Sequence, residues 1–195
     1  MGLLDIFRRH KEATNGNIKS QQPAQYQRAL QFNAEFAELL GGDSFIARSD
    51  YKHFISEYQE EYKFFCSIVE ANILEDYVSK NNLDITQIEA FINHYEEIKD
   101  LTQESLTIKK HNDQFVVNHI ELEKEYLDNI LKACDPAILL DNEQREVVLS
   151  EEDNTLVIAG AGAGKTTTVA AKVRYLVEKR GVKPEQILVI SFTNK

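Results

Sequence analysis

The chain has 195 residues, 43% of them hydrophobic and 28% charged, with a formal net charge of −10. That length holds one domain with a true core or two small ones. Two cysteines, Cys66 and Cys134, are too few and too far apart for a disulfide framework or a metal site, and no apolar run approaches the roughly 20 residues of a membrane span. A soluble protein in a reducing, cytoplasmic setting is the expectation.

The charge is unevenly spread. Residues 1–23 carry +2, residues 24–135 carry −12, and residues 136–195 are neutral. Nucleic-acid affinity comes mainly from Lys and Arg, so the acidic middle is a poor match for a phosphate backbone. Any DNA contact is expected from the C-terminal part, and a protein partner suits the middle better.

In chain order, Leu3, Leu4 and Phe7 make a short amphipathic turn, either a surface anchor or a frayed terminus. The order of charges there is wrong for a secretory signal, and Ile6 stands where a myristoylation site needs Ser or Thr. Residues 13–23, rich in Asn, Gln and Ser and closed by Pro23, read as a linker, so residues 1–23 form a flexible N-terminal segment. The next segment, 24–135, reads as an acidic helical region. A first helix runs from about Ala24 to Leu40 and stops at Gly41-Gly42. From Asp43 to Asp135, 93 residues contain no Gly or Pro. Phe54, Tyr58, Tyr62, Phe65, Val69, Ile73 and Tyr77 step by three and four, the spacing of one face of a long helix. Ile88, Phe91, Tyr95 and Ile98 line a further helix, as do Leu122, Tyr126 and Ile130. Asn81 to Asp84 is a turn, with Asp84 or Thr86 capping the next helix. A bundle of about four helices, one of them long, is predicted. The histidines, His10, His53, His94, His111 and His119, have no ligand spacing and read as surface or satisfied helix residues.

Past Pro136 the pattern changes. Asn154 to Ala159 is a short apolar run with polar flanks, as in a buried strand. Lys165 to Arg180 has helical spacing, with Val169, Val173, Leu176 and Val177 on one face and Gly181 as a stop. Ile187 to Phe192 is a second buried strand. Strand, helix and strand together predict a βαβ unit with parallel strands.

Between the first strand and the helix lie Ala159, Gly160, Ala161, Gly162, Ala163, Gly164, Lys165 and Thr166. Small residues let backbone N–H groups turn inward around phosphate oxygens. A helix N-terminus adds a favourable field for the anion. Lys165 is placed to reach the β- and γ-phosphates, and the Thr166 hydroxyl to ligate Mg²⁺. Thr167 comes next on the same first turn. The general phosphate-loop pattern begins with Gly, where this chain has Ala159.

Two flanking segments sharpen the reading. Leu140-Asp141-Asn142-Glu143-Gln144-Arg145-Glu146-Val147-Val148 precedes the loop, and Ile190-Ser191-Phe192-Thr193-Asn194-Lys195 comes after it. In this order they resemble the Q-motif, motif I and motif Ia of superfamily 1 DNA helicases of the UvrD/Rep group, with helicase IV-like members closest in look. That group typically begins motif I with Ala, in keeping with Ala159. The resemblance covers residues 138–195.

The resemblance implies that residues 136–195 open a RecA-like α/β motor domain behind the helical region. It implies an ATP-dependent, Mg²⁺-requiring 3′→5′ translocase acting on single-stranded DNA. The Gln144 amide would bond the adenine edge; from spacing alone it is equally the third residue of a capping box with Asp141. Phe192, with Thr193 and Asn194, would contact DNA by stacking on bases without regard to sequence; the alternative is an ordinary strand end with a core Phe. Thr167 and Thr168 stand where many relatives carry an Arg that packs on the base. The hydrolytic motifs are not in this sequence, so this chain by itself is expected to bind nucleotide without turning it over. The competing expectation is a helicase-like ATPase regulator that binds RNA polymerase through its helical region.

Overall fold

A computed structural model of the chain describes residues 22–190. The turn around Leu3, Leu4 and Phe7, most of the linker, and Phe192, Thr193, Asn194 and Lys195 lie outside the described residues. Two compact units divide between His111 and Asn112. The change of texture in the sequence lies further on, at Pro136.

In the first unit, α1 (Ala24–Gly41) buries Tyr26, Ala29, Phe32, Phe36 and Leu39, steps of three and four that draw one stripe down the helix. Packed with it are α2 (Arg48–Glu57), α3 (Gln59–Glu70), α4 (Leu74–Asn81) and α5 (Ile85–Ile98). Helix α6 (Leu106–Leu122) contains the division between the units. Asp84 caps α5, its carboxylate accepting from the Thr86 N–H at 2.9 Å. The core is aromatic. Phe32 has no exposed surface, and its ring lies 5.0–5.7 Å from those of Phe36, Phe54, Tyr58 and Phe91. Phe36 stacks on it and the other three meet it edge-to-face, arrangements that add stability beyond the area they bury.

The long helix expected from Phe54 to Tyr77 is three helices. At Tyr58 the backbone leaves helical geometry (φ −113°, ψ 12°), ending α2 and opening α3. There the Tyr58 hydroxyl donates to Glu35 Oε2 at 2.7 Å, and the Arg28 guanidinium lies 4.2 Å over its ring. Glu35 is buried and also accepts from Gln31 Nε2 at 2.9 Å. Burial first, and the Glu35 carboxylate second, push the Tyr58 hydroxyl far above its ordinary range, so it stays a donor. The second break is at Asn72, which takes a left-handed φ of +56°, a conformation Asn tolerates better than most residues. Around it the expected face is lost, and Val69 before it and Ile73 after it are exposed. Tertiary bonding at Tyr58 and one left-handed Asn break the helix where no Gly or Pro does.

The second unit is built on α7 (Lys124–Asn129), α8 (Asn142–Leu149), α9 (Lys165–Glu178) and a 3₁₀ turn, Pro184–Gln186. Leu127, Ile130, Leu131, Leu140, Val148, Leu149, Ala171 and Tyr175 form its core. Residues 127–131, placed with the acidic helical region by sequence, thus share a core with α8 and α9. The helix expected through Leu122 and Ile130 breaks at Glu123, and Leu122 is exposed.

Two further expectations differ from the structure. There is no strand among the described residues, so residues 154–159 and 187–190 do not form the expected βαβ ladder. Leu156, Ile158 and Leu188 are exposed instead. A strand is held by bonds to a neighbouring strand, and no described segment supplies them. Helix α9 meets the core through Thr168, Ala171 and Tyr175, while Val169 on the expected face is exposed. Gly181 does end the helix, at φ +67°. No helix among the described residues is long and apolar enough to cross a membrane.

His94 departs from the reading of a satisfied helix residue. Its ring lies 4.8 Å from that of Phe36, and Nδ1 is buried without a hydrogen-bond partner among the described residues. Burial holds its pKa below the ordinary value, against a smaller opposing pull from Glu97. The unfolded chain therefore takes up this proton first as pH falls. Stability should drop as pH goes below about 6.5, levelling off once the folded imidazole is also protonated. Urea unfolding of wild type and His94→Asn at pH 7.5, 6.5 and 5.5 checks this: the variant should lose part of the slope, and an equal slope in both contradicts it.

Candidate functional site

Helix α8 begins with a complete capping box. The Gln144 N–H donates to Asp141 Oδ1 at 2.8 Å, and the Asp141 N–H donates to Gln144 Oε1 at 3.1 Å. The same amide also reaches the small-residue loop, Nε2 donating to the Ala163 carbonyl at 3.3 Å. Gln144 thus bridges the start of one helix and the loop that opens another. The capping role weighed from the sequence is present, and the side chain lies at the loop as well.

The loop is a compact turn, with the Ala163 N–H on the Gly160 carbonyl at 3.4 Å. Gly162 and Gly164 take left-handed φ values of +79° and +76°, which a residue with a Cβ adopts only with strain. At Gly164 a Cβ would also sit 2.5 Å from Gln144 Nε2. Gly160 needs neither freedom: its φ is not left-handed, and a Cβ there meets nothing within 4 Å.

Lys165 opens α9 and folds back over the loop. Its ammonium donates to the carbonyls of Ala159 at 2.9 Å and Gly160 at 2.6 Å. Lys165, Thr166 and Ala161 are exposed, and Thr167 is half-buried. Thr168 closes the first turn, its N–H donating to the Gly164 carbonyl at 2.8 Å and its hydroxyl to the same oxygen at 3.1 Å. The structure therefore gathers Gln144 and residues 159–167 at one helix start. Phe192, Thr193 and Asn194 lie outside the described residues.

Two cations that the sequence reading passed over hold α8 in place. Arg145 is buried; its Nε donates to the Leu140 carbonyl at 3.0 Å, and it pairs with Asp128 at 2.5 Å. Lys172, on α9, donates to the Val148 carbonyl at 2.8 Å and to that of Ser150. Burial pushes the Lys172 ammonium down to about 8. A lone cation inside an otherwise apolar helical stripe is the signal that marks both. No cluster of three or more His, Cys, Asp and Glu side chains among the described residues is arranged to hold a metal ion.

The sequence pattern of the UvrD/REP helicase N-terminal domain matches residues 140–195, the stretch that holds α8, the loop and α9. Residues 140–195 belong to the UvrD/Rep helicase family. Among similar proteins, the probable DNA helicase II homolog of Mycoplasma capricolum is 41% identical over 69 residues, 35% of this chain and 9% of that protein. The ATP-dependent DNA helicase UvrD1 of Mycobacterium leprae is 48% identical over 56 residues, 29% of this chain and 7% of that protein. The ATP-dependent DNA helicase PcrA of Staphylococcus epidermidis is 43% identical over 56 residues, 29% of this chain and 8% of that protein. The matched stretch thus spans less than a tenth of each of these UvrD/Rep relatives. No solved structure matches.

The two glycines give a paired prediction. Gly164→Ala should cost about 1–2 kcal/mol for the left-handed backbone alone and displace Gln144. Gly160→Ala should stay within about 0.5 kcal/mol of wild type. Denaturant unfolding of both variants measures the difference, and equal stabilities would contradict the loop geometry.

Proposed function

We propose that residues 136–195 are the nucleotide-gripping opening of an ATP-driven DNA helicase motor, RecA-like in fold, translocating 3′→5′ on single-stranded DNA. The observation that carries the reading is the convergence of Gln144, Gly162, Gly164 and Lys165 on one helix start, in a segment of UvrD/Rep sequence. Exposed apolar runs at 156–158 and 188–190, and the exposed Val169 on α9, are what helix and strands need before a sheet covers them.

The site suits a nucleoside triphosphate. The glycine cradle leaves no room for a Cβ beside Gln144, and backbone N–H groups at the start of α9 are free to bind an anion. Lys165 would exchange the Ala159 and Gly160 carbonyls for phosphate oxygens. Gln144 would read the adenine edge, and the Thr166 hydroxyl would join Mg²⁺, which supplies charge neutralisation of the phosphates. Ala159, Ala161, Ala163 and Thr167 would line the loop. Phe192, Thr193 and Asn194 would carry the DNA contact, stacking included. Residues 24–135, with net −12, would face a protein rather than DNA. The setting of such an enzyme is the cytoplasm.

The test uses a protein in which this segment continues into the rest of the motor. Lys165→Ala should lower ATP turnover by about 1000-fold, with or without DNA, because several kcal/mol of charge stabilisation are lost. Phe192→Ala should keep DNA-free turnover and weaken single-stranded DNA binding by about 1–3 kcal/mol. Turnover that DNA does not stimulate, but RNA polymerase does, would replace this reading with the regulator.

A further inference from the structure

Helix α8 has eight residues, too short to hold its own position in water. Where Gln144 sits over the loop is therefore set by what grips the helix. Its first turn is closed by its own Asp141 box and touches the loop at Ala163, and its side is tied to Asp128 through Arg145. Its C-terminal end is tied by the other helix of the site: Lys172 on α9 donates to the carbonyls of Val148 and Ser150. These are groups a helix end leaves without intrahelical partners, and a cation there also suits the helix dipole. Val148 lies one turn beyond Gln144, about 6 Å along the axis. Lys172 lies seven positions after Lys165, on the same helix.

Apolar packing between α8 and α9 is already supplied by Val148, Leu149, Ala171 and Tyr175. Such contacts are non-directional and permit sliding by part of a turn; bonds to two named carbonyls do not. Desolvating an ammonium is costly, and burial holds this one down to about 8. Packing alone does not require it.

We propose that Lys172 is a positioning residue that fixes the register of α8 on α9, and so sets base selectivity through Gln144 while leaving the phosphate grip of Lys165 alone. This rests on the reading of Gln144 as the adenine contact. Lys172 touches neither base nor phosphate; it acts through the helix that carries Gln144.

The test is equilibrium binding of fluorescent ATP and GTP analogues to the whole chain and to Lys172→Met, Lys172→Arg and Gln144→Ala, with circular dichroism to confirm folding. Lys172→Met should weaken the adenine analogue about tenfold, the effect of one charge-assisted anchor, and the guanine analogue within about twofold. Lys172→Arg, which can still donate to both carbonyls, should restore the preference. If Gln144→Ala abolishes the preference while Lys172→Met weakens both analogues equally, or neither, the role of Lys172 is overturned and the reading of Gln144 stands. If Gln144→Ala leaves the preference intact, both fall. Should Lys172→Met not fold, Lys172→Gln carries the comparison: a smaller adenine-specific loss supports the role, and an equal loss on both bases overturns it.

Discussion

The second unit turns on one side-chain amide held between two backbone groups. Gln144 accepts from the Asp141 N–H with its oxygen and donates to the Ala163 carbonyl with its nitrogen. Everything around it serves that bridge. Gly164 must be glycine so that the nitrogen has room, and Arg145 and Lys172 fix the helix from its side and its far end. An amide suits the position because it offers a donor and an acceptor on one planar group. A glutamate would repel the Ala163 carbonyl, and a shorter asparagine would not reach. The same pair of groups is what an adenine edge asks for, so structural and proposed ligand-binding roles draw on one chemistry.

The first unit works differently. Its core is a cluster of rings around Phe32, and the buried carboxylate of Glu35 is satisfied by Tyr58 and Gln31. The strong negative charge of this region stays on the surface, while burial sorts aromatic and aliphatic side chains inward. His94 is the exception, a titratable ring set among aromatics with one nitrogen unmatched among the described residues. Its cost is modest at neutral pH because the imidazole is uncharged there.

Much of this was legible in the sequence, and the failures have physical causes. Periodicity found α5, the Gly41-Gly42 stop marked α1, and spacing placed α9 although that helix buries a different face from the one expected; of the two residues that could cap α5, Asp84 does so. The break at Tyr58 was not, because it depends on a hydroxyl meeting Glu35 from another helix. Asn72 gave only a weak local signal. The apolar runs at 154–159 and 187–190 were read as strands, yet apolar pattern records a tendency to be buried, not the segment that buries it. At the site, small residues and Lys165 announced the loop. The capping role of Gln144 was readable from its spacing with Asp141, but spacing does not reveal that the same amide also reaches the loop. Arg145 and Lys172 escaped because a single cation within an apolar stripe does not say which carbonyls it bonds.

The Gln144 amide is shared between the α8 cap and the loop, and on the proposed function nucleotide competes for it. Amide hydrogen exchange by NMR on the whole chain, with and without a non-hydrolysable ATP analogue, tests that competition most directly. Exchange should slow at the N–H groups of residues 160–168 as phosphate is gripped. It should quicken at the Asp141 N–H, whose partner is Gln144 Oε1, as the amide leaves for the base. Slowing at the loop with an unchanged or slower Asp141 N–H would contradict the competition, leaving Gln144 as a structural bridge between cap and loop.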